Sequence, residues 1–353
     1  MTKPIDVSKI ERVFIRGLNW RLGDSLMTTP FIAAVRELFP RARIDLAVPE
    51  RVRRVFEGNP AITNIIPFDT SHEYKSLSAK MRFARELAGQ KYDVAFLLQR
   101  AIEAALLTAY AKIPVRIGYD SDMRGFLLTH TVSEKDWSLT KASLHQVDYY
   151  LRILKKYFTL PRDDYSLAIY PLERDRAATH AKVLAQGIDI AKDRFVVFSP
   201  GTSYGVAKKW DIDRWNELAV RITREYPGMK VLLTGSDYDM EYCSAMPLGN
   251  GVCSVVGATE IGELIHVLAA SRCVVTIDNG NAHLAAALQK PLVVLFGSSN
   301  PVTTAPYRRN EDVIYKKIYC SPCCDKICRE KHHRCMKEIS VDEVLAMIGQ
   351  RLK

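Results

Sequence analysis

Short apolar runs alternating with helical patterns, twice over, constrain this chain more than any other feature of its sequence. Runs at 10–16, 44–48, 62–66, 94–98 and 115–117 are rich in Val, Ile, Leu and Phe and are bounded by Pro, Gly or charged residues. Helical periodicity fills most intervals, notably at 24–39, 74–88, 101–111 and 143–158, and residues 17–23 read as a loop. A run too short for a helix and apolar throughout suits a strand covered on both faces, and strands separated by helices form a parallel sheet. After a polar, proline-containing segment at 160–164, suited to a linker, the pattern repeats. Strands are predicted at 195–198, 230–234, 252–256, 273–277 and 292–296, with helices at 173–186, 212–225, 238–245, 261–270 and 281–288. The predicted class is α/β, with two facing Rossmann-like domains, 1–165 and 166–340, and an inter-domain cleft as the natural active site. The length of 353 residues fits two domains of roughly 100 to 200 residues each.

Composition excludes several classes. Hydrophobic residues make up 48% and charged residues 25%, so the chain can fill two cores and is not a disordered one. No apolar run approaches the roughly 18 residues that a spanning helix needs, and the first residues lack the apolar segment of a signal peptide, so a cytoplasmic protein is expected. The net charge is +10; residues 1–165 hold 26 Lys and Arg against 19 Asp and Glu, residues 166–353 hold 24 against 21. Such an excess attracts polyanions or an anionic membrane surface. No nucleic-acid-binding motif accompanies it, and no nucleic acid is expected as a partner.

The stretch 195–210, FVVFSPGTSYGVAKKW, joins a strand to a loop of Gly201, Thr202, Ser203 and Gly205, followed by Lys208 and Lys209. Backbone amides in such a loop, a following helix N-terminus and an ammonium are the means by which many α/β proteins hold a phosphate. An ordinary strand–loop–helix connection with two solvated lysines has the same appearance. Asp24, directly after Gly23 at a predicted helix start, reads either as a helix cap or as a carboxylate that takes a proton from an incoming hydroxyl. In 275–283, VTIDNGNAH, Asp278 ends a strand where an acid can bind ribose, and Gly280 permits a tight turn into a helix whose N-terminus faces phosphate. His283 reads as a phosphate donor or as a packed side chain. Asp237-x-Asp239 recurs at 120/122 and 211/213 and so identifies no metal site, whereas Glu241 is placed to reach a ribose.

Five of the eight cysteines lie in 319–336, where Cys320-x-x-Cys323, Cys328 and Cys335, with His332 and His333 nearby, permit a tetrahedral zinc site. The second half of the set lacks a matched ligand pair, and one cysteine is left over. A structural segment of free thiols is the competing reading.

Taken in order, Gly23-Asp24 with Thr29-Pro30, Ser199-Pro200-Gly201 with Lys208, Lys209 and Trp210, and Asp278-x-Gly280-x-x-His283 with Ala285 to Leu288 and Phe296-Gly297 carry a resemblance over essentially the whole chain. The chain resembles glycosyltransferase family 9 and, within it, the lipopolysaccharide heptosyltransferases of the II type. The resemblance implies a GT-B fold and inverting transfer of a heptose from ADP-L-glycero-D-manno-heptose to a lipid A/core oligosaccharide acceptor, at the cytoplasmic face of the inner membrane. It implies Asp24 as general base and Lys208 as the diphosphate ligand. The donor side would comprise Gly201, Thr202, Ser203, Lys209, Glu241, Asp278, Asn279, Gly280 and His283, with no metal cofactor required. Arg51, Arg53, Arg54 and Arg124 are candidates for acceptor phosphates, and a terminal helix within 341–353 is expected to cross back onto the first domain. Two positions depart from the family pattern: Asn279 stands where Ser or Thr is frequent, and Thr202 where Ala is. Another nucleotide sugar as donor, or a non-enzymatic nucleotide- or polyanion-binding protein, are the alternatives.

Overall fold

The computed structural model describes residues 4–18, 21–69, 73–133 and 143–353. The chain divides into two compact units, the first ending at Tyr170 and the second running from Pro171. The first carries six strands: β1 (Arg12–Arg16), β2 (Arg43–Val48), β3 (Asn64–Pro67), β4 (Val94–Leu97), β5 (Val115–Tyr119) and β6 (His130–Val132). All pair in parallel, in the order β3-β2-β1-β4-β5-β6. The second carries β7 (Arg194–Ser199), β8 (Met229–Leu233), β9 (Val252–Ser254), β10 (Cys273–Ile277), β11 (Leu292–Phe296) and β12 (Val313–Tyr315). Their order, β12-β11-β10-β7-β8-β9, is the same plan repeated, again all parallel. Central strands such as β10 and β11 are buried at every residue, which is why they read as unbroken apolar runs. In each unit the connection order reverses between the first and fourth strands, and this reversal opens a crevice at their carboxyl ends.

Several boundaries differ from expectation. Strands β6 and β12 were not anticipated; each is three residues long and lies at a sheet edge, too short to show a period. The helix predicted over 24–39 is two, Leu22–Leu26 and Thr29–Leu38. Pro30 stands at the start of the second, where its missing N–H costs nothing, and the Thr28 and Thr29 hydroxyls donate to Ser25 O (2.6 Å) and Leu26 O (2.7 Å) at the break. The first helix is capped at Arg21 without a side-chain bond, so Asp24 is not a helix cap. Of the loop predicted over 17–23, Asn19 and Trp20 lie outside the described residues. The 238–245 helix shortens to a tight turn, Asp237–Asp239, and Met240–Cys243.

Residues 160–164 are not the linker. Tyr165 is fully buried and donates to Glu37 Oε2 (2.7 Å), Arg162 pairs with Glu37 (3.0 Å), and Ala168 N donates to Thr29 Oγ1 (3.1 Å), fastening the chain to the first unit through Ile169. The terminal helix Val341–Arg351 closes the second unit. Val344, Leu345 and Ile348 join Trp210, Trp215 and Ile222 in one apolar core, and Arg221–Asp342 and Lys316–Glu343 (2.8 Å) flank the contact. The first unit has its own core around Phe14, Phe68, Phe83 and Leu97. Among the described residues, no helix is long and apolar enough to cross a membrane.

Candidate active site

In the second unit the predicted phosphate loop leaves β7 at the crevice between β7 and β10, where Ser199 stands opposite Thr276. A set of hydroxyls and amides fixes the start of the loop. Asn279 caps the helix Gly280–Ala287 by accepting from Asn281 N (3.0 Å), and its Oδ1 also accepts from the Thr276 hydroxyl (2.9 Å). Its Nδ2 donates to Ser199 O (3.1 Å) and Gly201 O (2.9 Å), which uses the bonding capacity of the amide. Asn279 therefore holds the loop to the helix rather than pointing to a ligand. Asn281 Nδ2 donates to Ser199 Oγ (2.9 Å), and Ser199 Oγ meets Thr234 Oγ1 at 2.6 Å. The Thr202 hydroxyl accepts from Tyr204 N (3.1 Å), a local turn that leaves Ser203 exposed.

Lys208 is the cation of this crevice. Its ammonium pairs with the Asp278 carboxylate, and both side chains are largely buried, at 14% and 7% exposure. The same ammonium lies 4.5 Å from the centre of the Tyr204 ring. Lys209 turns elsewhere, to the Tyr242 ring at 4.1 Å. Two adjacent lysines thus have different environments, which the sequence alone does not show.

The cysteine-rich segment is the support of this loop. Tyr204 donates its hydroxyl to Cys324 O (2.6 Å), Ala207 N donates to Lys326 O (3.0 Å), and the His333 ring nitrogen lies 2.9 Å from Ala207 O. A Cβ on Gly205 would lie 2.4 Å from Lys326 O, so only glycine permits the approach. All eight cysteines are free thiols. Burial pushes the Cys335 thiol up to about 11, followed by the influence of Cys323, Cys320 and Cys328. Among the described residues no three His, Cys, Asp or Glu side chains are grouped to hold a metal ion, so nothing here supports zinc at Cys320, Cys323, Cys328 and Cys335.

Asp239 was passed over in the sequence because its motif recurs. The structure packs its carboxylate against Gly201, where an added Cβ would lie 2.1 Å from Oδ1. Oδ2 accepts from Ser236 N (2.9 Å) and Oγ (2.8 Å), while the buried Oδ1 has no hydrogen-bond partner among the described residues. Glu241, the predicted ribose ligand, is exposed. His283 is buried at 4% exposure.

In the first unit, Asp24 lies half-buried in the first turn of Leu22–Leu26, just beyond β1. Gly17 begins this connection, and a Cβ there would lie 2.6 Å from Val48 Cγ1. Tyr150, only 2% exposed, comes from the helix Gln146–Lys155. Burial raises its hydroxyl pKa, and of the surrounding charges Asp24 acts most strongly in the same direction. Gln146 Nε2 donates to that hydroxyl (2.7 Å). Tyr150 and Gln146 carried no sequence motif; a buried tyrosine on an amphipathic helix reads as core.

The arginines predicted for the acceptor are differently employed. Arg124 is fully buried and donates to Tyr119 O (2.8 Å), Gln99 O and Ala101 O (3.2 Å), which removes it from the acceptor set because no face of the side chain reaches solvent. Arg51 pairs with Asp69 (3.1 Å), Arg53 with Glu50 (3.6 Å) and Glu57 (3.0 Å), and Arg54 with Glu57 (2.8 Å).

Residues 80–334 match the family described as glycosyltransferase family 9 (heptosyltransferase). The chain is similar to lipopolysaccharide heptosyltransferase 2 of Salmonella typhimurium, 27% identical over 318 residues, covering 86% of this chain and 87% of that one. Among solved structures it resembles a glycosyltransferase of family 9 from Veillonella parvula, at TM-score 0.86 and 23% identity over 100% of this chain and 99% of that one. It also resembles Escherichia coli ADP-heptose lipopolysaccharide heptosyltransferase II, at TM-score 0.77 and 24% identity over 97% and 98%.

Proposed function

The chain belongs to glycosyltransferase family 9, and on that premise we propose that it moves a heptose from ADP-L-glycero-D-manno-heptose to the inner core of lipopolysaccharide. The observation that carries this reading is the buried Lys208 ammonium, paired with Asp278 at the crevice between β7 and β10. That is where Rossmann-like sheets bind nucleotides, and a lysine held there by a carboxylate is aimed into the crevice. The donor diphosphate joins the ammonium in this crevice, beside the amides of 201–203 and the amino end of Gly280–Ala287. Asp278, at the end of β10, is an acceptor suited to ribose hydroxyls.

The reaction is a single displacement. The acceptor oxygen forms a bond to the anomeric carbon as the bond from that carbon to the diphosphate oxygen breaks on the opposite face, with inversion. Asp24 takes the hydroxyl proton, and the electron pair of the broken bond leaves with ADP. Lys208 and the loop amides stabilise the charge that develops on the diphosphate, without a metal. The acceptor is lipid-linked, so the protein acts at the cytoplasmic face of the inner membrane, where its net charge of +10 favours anionic lipid.

The test is incubation of purified protein with ADP-heptose, and separately with UDP- and GDP-sugars, on defined core acceptors followed by mass measurement. A single heptose added from the ADP donor alone is the expected product. Transfer from UDP- or GDP-sugar only, or no transfer, overturns the assignment.

A further inference from the structure

The helix Ile102–Tyr110 of the first unit carries Ile102, Leu106 and Tyr110 at four-residue spacing, exposed by 37%, 49% and 47%. Residues so spaced share a face. The turn Arg124–Leu127 lies against this helix, and beside and within it Met123 and Phe126 are exposed by 88% and 78%. The tip is firmly held. Buried Arg124 ties it to Gln99 O and Ala101 O, immediately before the helix, and Asp122 and Met123 adopt φ of 50° and 57°, a left-handed conformation unfavourable for residues other than glycine. An exposed Met and Phe on a turn held by these bonds are suited to entering a deformable apolar phase.

We propose that Met123 and Phe126, with the stripe Ile102, Leu106 and Tyr110, form a docking ridge for an anionic lipid bilayer. This rests on the reading that the acceptor is lipid-linked. Charge complementarity selects the bilayer: exposed Arg100 and Lys112 bracket the stripe, and, leaving out the buried Arg124, residues 77–128 hold seven Lys and Arg against five Asp and Glu. Glu103 on the same helix is paired with Lys80 (2.9 Å), and Asp122 is exposed beside the tip. Apolar side chains flanked by cations bind the headgroup boundary, the apolar groups entering it and the cations meeting lipid phosphates.

The test compares the full chain with the double variant Met123→Ser/Phe126→Ser by co-sedimentation with vesicles of phosphatidylcholine alone or mixed with phosphatidylglycerol. The wild type is expected to prefer the mixed vesicles, and the variant to lose about tenfold in partition. Transfer to a water-soluble core acceptor without acyl chains is expected to be unchanged in the variant. A wild type that fails to sediment with mixed vesicles overturns the proposal, as does a variant that sediments equally well. A dimeric wild type that the variant converts to monomer, measured by sedimentation velocity, also overturns it, because the ridge then covers a second copy. Absence of transfer to the soluble acceptor in the wild type overturns the heptose reading alone, and the vesicle result still judges the ridge.

Discussion

At the scale of single side chains, the first unit offers Asp24 as the proposed general base, with the buried Tyr150 hydroxyl under the influence of its charge. Asp24→Ala is expected to lower transfer by about 10²- to 10⁴-fold, the usual worth of a general base, while ADP still raises the melting temperature as in the wild type. Retention of most activity would remove Asp24 from the mechanism. Gln146 donates to the Tyr150 oxygen, and Asp24 is the strongest of the charges that act on that hydroxyl. Tyr150→Phe keeps the packing and removes the hydroxyl, so kcat/KM is expected to fall while ADP still raises the melting temperature; an unchanged kcat/KM would make Tyr150 purely structural. In the second unit Gly201 is required by the Asp239 carboxylate. Gly201→Ala is expected to cost about 1 to 3 kcal/mol by overpacking, and urea unfolding of Gly201→Ala/Asp239→Ala should show a loss smaller than the sum of the single losses.

At the scale of elements, the terminal helix and the cysteine-rich segment both complete the second unit. The helix Val341–Arg351 buries Ile348 completely against the Trp210–Trp215 core, so Ile348→Ala is expected to destabilise that unit by roughly 2 to 5 kcal/mol. Denaturant unfolding followed by tryptophan fluorescence reads this directly, since Trp210 and Trp215 belong to the same core; an unchanged midpoint would deny the helix its structural part. The cysteine-rich segment reaches the site through two backbone oxygens, Cys324 O and Lys326 O, and through the His333 ring, rather than through its sulfurs. The cysteine spacing, the most conspicuous motif in the sequence, carries no sign of this supporting part.

At the scale of the whole molecule, each unit has its own sheet and its own core, and the proposed nucleotide crevice belongs to the second. ADP at about a hundred times its Kd is expected to stabilise the unfolding transition of that unit by roughly 2.7 kcal/mol, and calorimetry with and without ADP should show this transition move preferentially. A shift confined to the first unit would place the nucleotide elsewhere. The α/β class, the repeat of one plan and the strands β1, β7, β10 and β11 were legible without coordinates, because strands buried on both faces leave unbroken apolar runs and the helices between them keep their period. The loop of 199–201 and the Asp278-x-Gly280 turn were legible for a related reason, since small residues at strand ends mark close backbone approach. The ion pair of Lys208 with Asp278, the separation of Lys208 from Lys209, the burial of Arg124 and the placing of Asp239 under Gly201 were decided only by the tertiary structure. Each depends on which groups from distant segments meet, and local sequence carries no record of such a meeting.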